Sequence, residues 1–274
     1  MAAALKGRVL TIAGSDSGGG AGIQADIKTI TALGGYGASA ITAVTAQNTL
    51  EVRAIHVIPP EIVGAQISCV LEDIGADCIK TGMLAGRRII EEVANRLAEL
   101  APGTPRVVDP VMVATSGSRL MDEDSVGALK TLLLPGATLL TPNIPEAEVL
   151  CGLRVESEAQ MLGAGEALLE MGADAVLLKG GHLPEERAEI CDLLIDRHGH
   201  EFLRHPRIRT VHTHGTGCTL AAAIATGLAQ GMPLGPAVRR ACGYVQQAMR
   251  TAPGFGAGHG PLNHGHRAEP FDDL

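Results

Sequence analysis

A cysteine stands where a glycine-rich turn enters an apolar helix, in the segment HGTGC (residues 214–218) followed by TLAAAIATGLAQG. Backbone N–H groups of Gly215, Thr216 and Gly217 at a helix N-terminus can bind an anion such as a phosphate without an accompanying lysine. The same position favours the thiolate of Cys218, since thiols in such settings have pKa values of roughly 3.5–7.5. We therefore expect Cys218 to accept a proton from a substrate hydroxyl, the alternative being a small packing contact.

Further polar side chains follow three apolar runs along the chain. Asp109 ends RVVD, Asn143 and Glu146 lie in TPNIPE, and Lys179 follows AVLL and precedes two glycines. Oxygen atoms of Asp109 and Glu146 can hold Mg²⁺, commonly through waters, because this ion dehydrates reluctantly. The alternative for Asn143 to Glu146 is a capped helix start. Lys179 beside flexible glycines favours the close approach of a phosphate, and an exposed lysine flanking the core is the alternative.

A glycine loop, GSDSGGGAGIQAD at residues 14–26, follows the first apolar run and includes Asp16 and Asp26. It satisfies the weak dinucleotide-binding pattern GxGxxG/A, which a plain strand-to-helix turn also explains. A dinucleotide site would in addition place an acidic residue at the end of the second strand. Gln47 stands there instead, so a dinucleotide oxidoreductase is disfavoured.

The amide of Gln47 offers a donor and an acceptor side by side. Such an amide can pair with a ring nitrogen and an adjacent amino group, as Gln and Asn do with adenine. Gln47 is therefore suited to an aminopyrimidine, and a surface polar residue is the alternative.

Strand-like and helix-like segments alternate along the whole chain, which predicts βαβ units and a mostly parallel sheet with helices on both faces. ICDLLID and EFLRHPRI, joined by RHGH, predict an antiparallel hairpin at one edge. No linker or repeat is visible, so we expect one domain over residues 1–274. The polar and glycine-rich segments all follow strands, which places them at the carboxyl ends of a parallel sheet, where ligands bind.

Composition excludes several classes of protein. The formal charge is −8 with two tyrosines, three phenylalanines and no tryptophan, which argues against nucleic-acid binding. No apolar run approaches the ~18 residues of a membrane span, and the N-terminus lacks a signal-peptide pattern. Six cysteines without a CxxC pair suit reduced thiols. These features predict a cytoplasmic protein.

Seven segments carry a resemblance to a known family across almost the whole chain: AGSDSGGGAGIQADIKT, ITAVTAQNT, IKTGML, DPVMVATSG, TPNIPEAE, LLKGGH and THGTGCTLAAAIA. In this order they resemble the hydroxymethylpyrimidine/phosphomethylpyrimidine kinases, the thiamine-pathway branch of the ribokinase-like family. The resemblance implies a three-layer α/β/α fold in a dimeric kinase. It also implies ATP-dependent phosphorylation of a hydroxymethyl-aminopyrimidine and then of its monophosphate.

The resemblance also implies roles for individual residues. The family's sugar kinases carry an aspartate base at the position of Cys218. The pyrimidine pocket would be lined by Gln47, Asp26, Met83 and Val111, with Gly14 and Ala21 nearby. Mg-ATP would be bound by Asn143, Glu146, Lys179, Thr213 and the amides of Gly215 to Gly217.

Two other functions stay open at this point. A pyridoxal kinase of the same cysteine-bearing branch is the nearer one, although some pyridoxal-active relatives have an additional cysteine where this chain has Ala114. A nucleotide-binding module without turnover is the other.

Overall fold

Six parallel strands form the centre of the sheet in the computed structural model, which describes residues 5–113, 117, 120–183 and 188–268. Within these residues the sheet has nine strands in the order β3-β2-β1-β4-β5-β6-β7-β8-β9. The strands are β1 (Arg8–Asp16), β2 (Tyr36–Gln47), β3 (Val52–Val57), β4 (Cys78–Thr81), β5 (Arg106–Val108), β6 (Leu139–Leu140), β7 (Ala175–Leu178), β8 (Glu189–Asp196) and β9 (Gly199–Pro206).

Helices cover both faces of the sheet. Five of them, α2 to α6, pack on one face, while α1, α7 and α8 pack on the other. The helices are α1 (Gly22–Ala32), α2 (Pro60–Asp73), α3 (Arg87–Leu100), α4 (Glu123–Leu132), α5 (Ile144–Cys151), α6 (Glu158–Glu170), α7 (Thr216–Ala229) and α8 (Leu234–Arg250), with a 3₁₀ turn at Gly180–His182. The expected three-layer α/β/α fold is confirmed.

The central strands consist mainly of consecutive apolar residues, without the alternation of apolar and polar residues that marks a sheet with one solvated face. This pattern is typical of strands that are buried on both faces. Successive side chains of a strand point to opposite faces. In β7, Val176 and Leu178 therefore pack against the layer of α2 to α6, while Leu177 packs against the layer of α1, α7 and α8.

The predicted edge hairpin is confirmed, since β8 and β9 pair antiparallel from Glu189 to Pro206. The opposite edge holds a second antiparallel strand, β3, which the sequence analysis did not identify. β3 is an edge strand whose side chains are mostly exposed, so it lacks the buried apolar run that marked the other strands. Helix α8 was also not identified.

The order of the strands creates a crevice at their carboxyl ends. From β1 the chain passes to β2 on one side, and it later returns to pair β4 with β1 on the other side. Loops that leave neighbouring strands in opposite directions open a ligand site at this point of a parallel sheet. Among the described residues, no helix is long and apolar enough to cross a membrane.

Candidate active site

A cavity of about 960 Å³ opens at the carboxyl ends of the parallel strands. Fourteen of the fifteen residues singled out in the sequence line it, and Asp26 is the exception. The fourteen are Gly14, Ala21, Gln47, Met83, Asp109, Val111, Asn143, Glu146, Lys179, Thr213, Gly215, Thr216, Gly217 and Cys218.

Helix α7 begins inside this cavity. Its N-cap, Gly215, has a φ of 83°, and a Cβ atom there would collide with the carbonyl oxygen of Gly20 in the loop after β1. The N–H of Thr216 donates to the Thr213 carbonyl at 3.3 Å. Across the described residues, the N–H groups of Gly215 and Gly217 have no acceptor. Two of the three predicted amides are thus available to an anion.

Lys179 lies at the centre of a buried charge cluster facing this helix start. Its Nζ is 3.3 Å from Asp109 Oδ1 and 3.9 Å from Glu146 Oε2. Burial opposes the charge on Lys179, but the two carboxylates outweigh it and raise the pKa of the ammonium. A Cβ atom on Gly217 would lie 3.4 Å from Lys179 Nζ, so the glycine leaves this ammonium accessible from the helix.

Glu146 also caps α5, as the alternative interpretation of TPNIPE predicted. Asn143 Oδ1 accepts from the Glu146 N–H at 2.9 Å, and the Asn143 N–H donates to Glu146 Oε2 at 2.8 Å. Burial, together with the nearby Asp109 carboxylate and against the pull of Lys179, raises the pKa of Glu146 to about 7.

Mg²⁺ fits this donor set in one particular mode. Asp109 and Glu146 are buried carboxylates that approach the same ammonium, so a cation near them would be stabilised. Within the described residues no group of three or more His, Cys, Asp or Glu could hold a metal ion. The site therefore suits Mg²⁺ held by one or two carboxylates together with substrate phosphates, which is its usual mode in phosphate-binding sites.

The pKa of the Cys218 thiol differs from the expectation. Burial, opposed by Lys80 and reinforced by the carboxylate of Asp26, raises the pKa of Cys218 to about 11. The prediction of a lowered pKa was wrong because desolvation of the thiolate exceeds the effect of the helix N-terminus. Cys218 is therefore a thiol at neutral pH in the protein without ligands.

Asp26 does not line the cavity, contrary to the expectation that it lines the pyrimidine pocket. Its side chain is fully buried and accepts from Lys80 Nζ at 2.9 Å, while Thr11 Oγ1 donates to the same carboxylate. This carboxylate is therefore closed off from solvent by the protein. Lys80, which the sequence analysis missed, places an ammonium close enough to lower the pKa of Cys218.

A second polar cluster surrounds Gln47 in the same cavity. His214 Nε2 lies 2.8 Å from Asp16 Oδ2 and 3.3 Å from the side-chain amide of Gln47. Asp16 also accepts from the N–H groups of Gly18, Gly20 and Ala21, so it orders the glycine loop. His214 stood in the HGTGC segment, but only its neighbours were assigned a role there.

An apolar wall completes this part of the cavity. A Cβ atom on Gly14 would lie 3.1 Å from Met83 Cε, so the absence of a side chain at Gly14 makes room for Met83. Val111 and Met112 line the same cavity. A flat ring can therefore lie against apolar atoms while its polar edge meets Gln47.

A phosphoryl group is the anion for which a helix start, a largely buried lysine and two carboxylates that suit Mg²⁺ are jointly arranged. On this sheet, with an acceptor pocket beside it, the arrangement defines a kinase of the ribokinase-like class. The family model described as phosphomethylpyrimidine kinase matches residues 16–263. The chain belongs to this family of phosphotransferases, some of whose members are named for thiamine biosynthesis.

Two curated relatives illustrate the match. The hydroxymethylpyrimidine/phosphomethylpyrimidine kinase of Bacillus subtilis is 50% identical over 94% of this chain and 94% of its own length. A thiamine biosynthesis bifunctional protein of Geobacter sulfurreducens is 51% identical over 98% of this chain, which spans 54% of that longer protein.

Solved structures give the same fold. The phosphomethylpyrimidine kinase of Clostridium difficile is 40% identical, with a TM-score of 0.79 over 89% of this chain and 99% of that one. The pyridoxal kinase of Staphylococcus aureus, solved with pyridoxal, is 35% identical with a TM-score of 0.88 over 97% and 96% of the two chains.

Proposed function

We propose that this chain transfers the γ-phosphoryl group of ATP to the hydroxymethyl group of 4-amino-5-hydroxymethyl-2-methylpyrimidine, and in a second reaction to the phosphate of the product. The observation that carries the proposal is that the Lys179 cluster, the α7 start and the Gln47 pocket line one cavity. Consumption of ATP with each of the two acceptors tests it directly.

The nucleotide phosphates lie, in this proposal, against Lys179 and the N–H groups of Gly215 and Gly217, with Thr213 and Asn143 beside them. Asp109 and Glu146 would hold Mg²⁺, which supplies additional positive charge to the transferring group. Phosphoryl transfer needs mainly positioning and charge stabilisation. The protein's own contribution is therefore a preformed set of donors that needs little rearrangement.

The acceptor hydroxyl lies between the γ-phosphorus and Cys218. Its oxygen forms the new bond to phosphorus while the bond to the ADP oxygen breaks, and its proton passes to the Cys218 thiolate. Because the pKa of this thiol is about 11, the thiolate is a minor species at neutral pH. A loose transition state requires only late proton removal, so a small thiolate fraction supports a modest rate.

Phosphorylation of pyridoxal is the second candidate, and the high TM-score to the Staphylococcus aureus enzyme favours it. Pyridoxal presents a phenolic oxygen and an aldehyde where the pyrimidine presents an amino group beside a ring nitrogen. The Gln47 amide matches the second pattern. Ala114, the position at which some pyridoxal-active relatives have a cysteine, lies outside the described residues. Parallel assays with both substrates separate the two activities.

The working protein is, in our proposal, a homodimer in the cytoplasm. Exposed apolar side chains on the edge strand β3 and on its neighbour β2 support an association of copies through this edge; they are Val44, Ile55 and Val57. The six free cysteines support a reducing compartment. Sedimentation analysis of wild type and Ile55→Lys tests the dimer, because a charge at the interface should shift the wild-type dimer to monomer.

A further inference from the structure

His214 connects the glycine loop after β1 to the residue that we assign to the pyrimidine. Its Nε2 is 2.8 Å from Asp16 Oδ2 and 3.3 Å from Gln47 Nε2. His214 and Asp16 are 6% and 3% exposed, so neither contact is shared freely with water. The three side chains come from β1, the end of β2 and the segment before α7.

Asp16 decides where the proton of the imidazole lies. Burial opposes ionisation of Asp16, but the hydrogen bond from His214 and the N–H groups of Ala21 and Gly18 outweigh it and lower the pKa. An ionised carboxylate only accepts hydrogen bonds. His214 Nε2 therefore carries a hydrogen and donates it to Asp16, so this nitrogen has no lone pair with which to accept from Gln47.

Thr45 gives an independent constraint on the other side of the same amide. Thr45 Oγ1 lies 2.9 Å from the Ser15 carbonyl oxygen and 3.3 Å from Gln47 Oε1, so its single hydrogen goes to the closer acceptor, the Ser15 carbonyl. The hydroxyl can then only accept from Gln47. The oxygen and nitrogen of an amide are assigned from such partners. Both neighbours require the amide to be turned over from its placement in the structure, so that the carbonyl oxygen lies toward His214 and the NH₂ group toward Thr45.

We infer that His214, held by Asp16, is a positioning residue that fixes the orientation of the Gln47 amide and thereby the specificity of the acceptor pocket. One hydrogen of the NH₂ group bonds Thr45, and one lone pair of the carbonyl accepts the Nε2 hydrogen of His214, which is shared with the closer Asp16 carboxylate. The remaining hydrogen and lone pair form the donor and acceptor pair that an aminopyrimidine edge complements. This inference rests on the proposed function, in which Gln47 binds that edge.

A double-mutant cycle tests the inference through binding of hydroxymethylpyrimidine, measured by calorimetry without ATP. We expect His214→Phe to weaken binding about tenfold, because the amide can then turn over and present the wrong pattern. His214→Gln, which keeps an N–H donor, should restore most of the affinity. In a Gln47→Leu background His214→Phe should have no further effect, because the two residues act as one unit.

A control variant, a second test variant and a stability measurement keep the inference distinct from the proposed function. His198→Phe, in the exposed turn between β8 and β9, should leave the affinity unchanged. Thr45→Val removes the acceptor of the NH₂ group while retaining His214. This variant should also weaken pyrimidine binding. It provides a test that does not depend on the folding of His214→Phe. Thermal unfolding of each variant identifies losses that come from folding.

The outcomes separate the two claims. If Gln47→Leu binds the pyrimidine as well as wild type, the proposed role of Gln47 fails and the inference fails with it. If Gln47→Leu binds weakly but His214→Phe and Thr45→Val bind normally, the inference alone is overturned. Equal losses from His214→Phe in the wild-type and Gln47→Leu backgrounds also overturn it.

Discussion

The Nζ of Lys80 lies 2.9 Å from Oδ2 of Asp26, and both side chains are fully buried. The pair joins β4 to α1 beneath the cavity floor, close enough to Cys218 for both charges to act on the pKa of its thiol. A buried pair of this kind stabilises only while both members are present, because each would otherwise be an uncompensated charge.

Breaking this pair should destabilise the fold strongly. We expect Lys80→Met to lower the free energy of unfolding by roughly 3–5 kcal/mol, because Asp26 is left buried without its cation. Asp77→Asn, which breaks the exposed pair with Arg8, serves as the control and should cost much less, because solvent screens a surface pair. Urea unfolding of both variants measures the difference. Equal losses would show that the buried pair contributes no more than a surface one.

Removal of the Cys218 thiol should slow phosphoryl transfer while nucleotide binding is retained. We expect Cys218→Ala to reduce kcat by ~10²–10⁴-fold, the usual value of a general base. Because the pKa of Cys218 is about 11, the wild-type rate should rise with pH through the alkaline range, and that rise should be absent in the variant. Cys69→Ala, on the exposed face of α2, is the matched control. Full activity of Cys218→Ala would show a packing role alone.

Glu146 should make the stability of the metal-free protein depend on pH. Its pKa is raised from 4.5 to about 7 in the folded state, so between these values the folded protein binds more protons than the unfolded chain. The free energy of unfolding should therefore fall as pH rises through this range. Glu146→Gln should flatten the dependence, whereas the exposed Glu166→Gln on α6 should not. Denaturant titrations across pH check this, and an unchanged slope in Glu146→Gln would contradict it.

Gly217→Val should impair the nucleotide half of the site. A Cβ atom there lies 3.4 Å from Lys179 Nζ and 3.7 Å from Asp109 Oδ2, so the added methyl groups occupy space assigned to phosphate. We expect KM for ATP to rise about tenfold or more while pyrimidine binding stays near wild type. Gly127→Val, at an exposed position of α4 with open space around it, is the control. Loss of pyrimidine affinity without loss of ATP affinity would reverse the two half-sites.

The sequence located most of the site because the chemistry followed strand ends, and the carboxyl ends of parallel strands meet on one side of a sheet. Contacts between residues that are far apart along the chain could not be predicted from the sequence. Lys80 lies within a buried strand, and nothing local marks Asp26, which is 54 residues away, as its partner. The pKa of Cys218 depends on the depth of its burial, which its position at a helix start does not reveal.

The central claim is that the acceptor is hydroxymethylpyrimidine and not pyridoxal. The ratio of kcat/KM for hydroxymethylpyrimidine to kcat/KM for pyridoxal tests it most directly. We predict that wild type strongly prefers the pyrimidine. Gln47→Leu should lose about 1–3 kcal/mol of that preference, because the amino group and ring nitrogen would be left unpaired in the cavity. Equal or better use of pyridoxal by wild type would contradict the proposed substrate while leaving the kinase fold and its phosphate site unchanged.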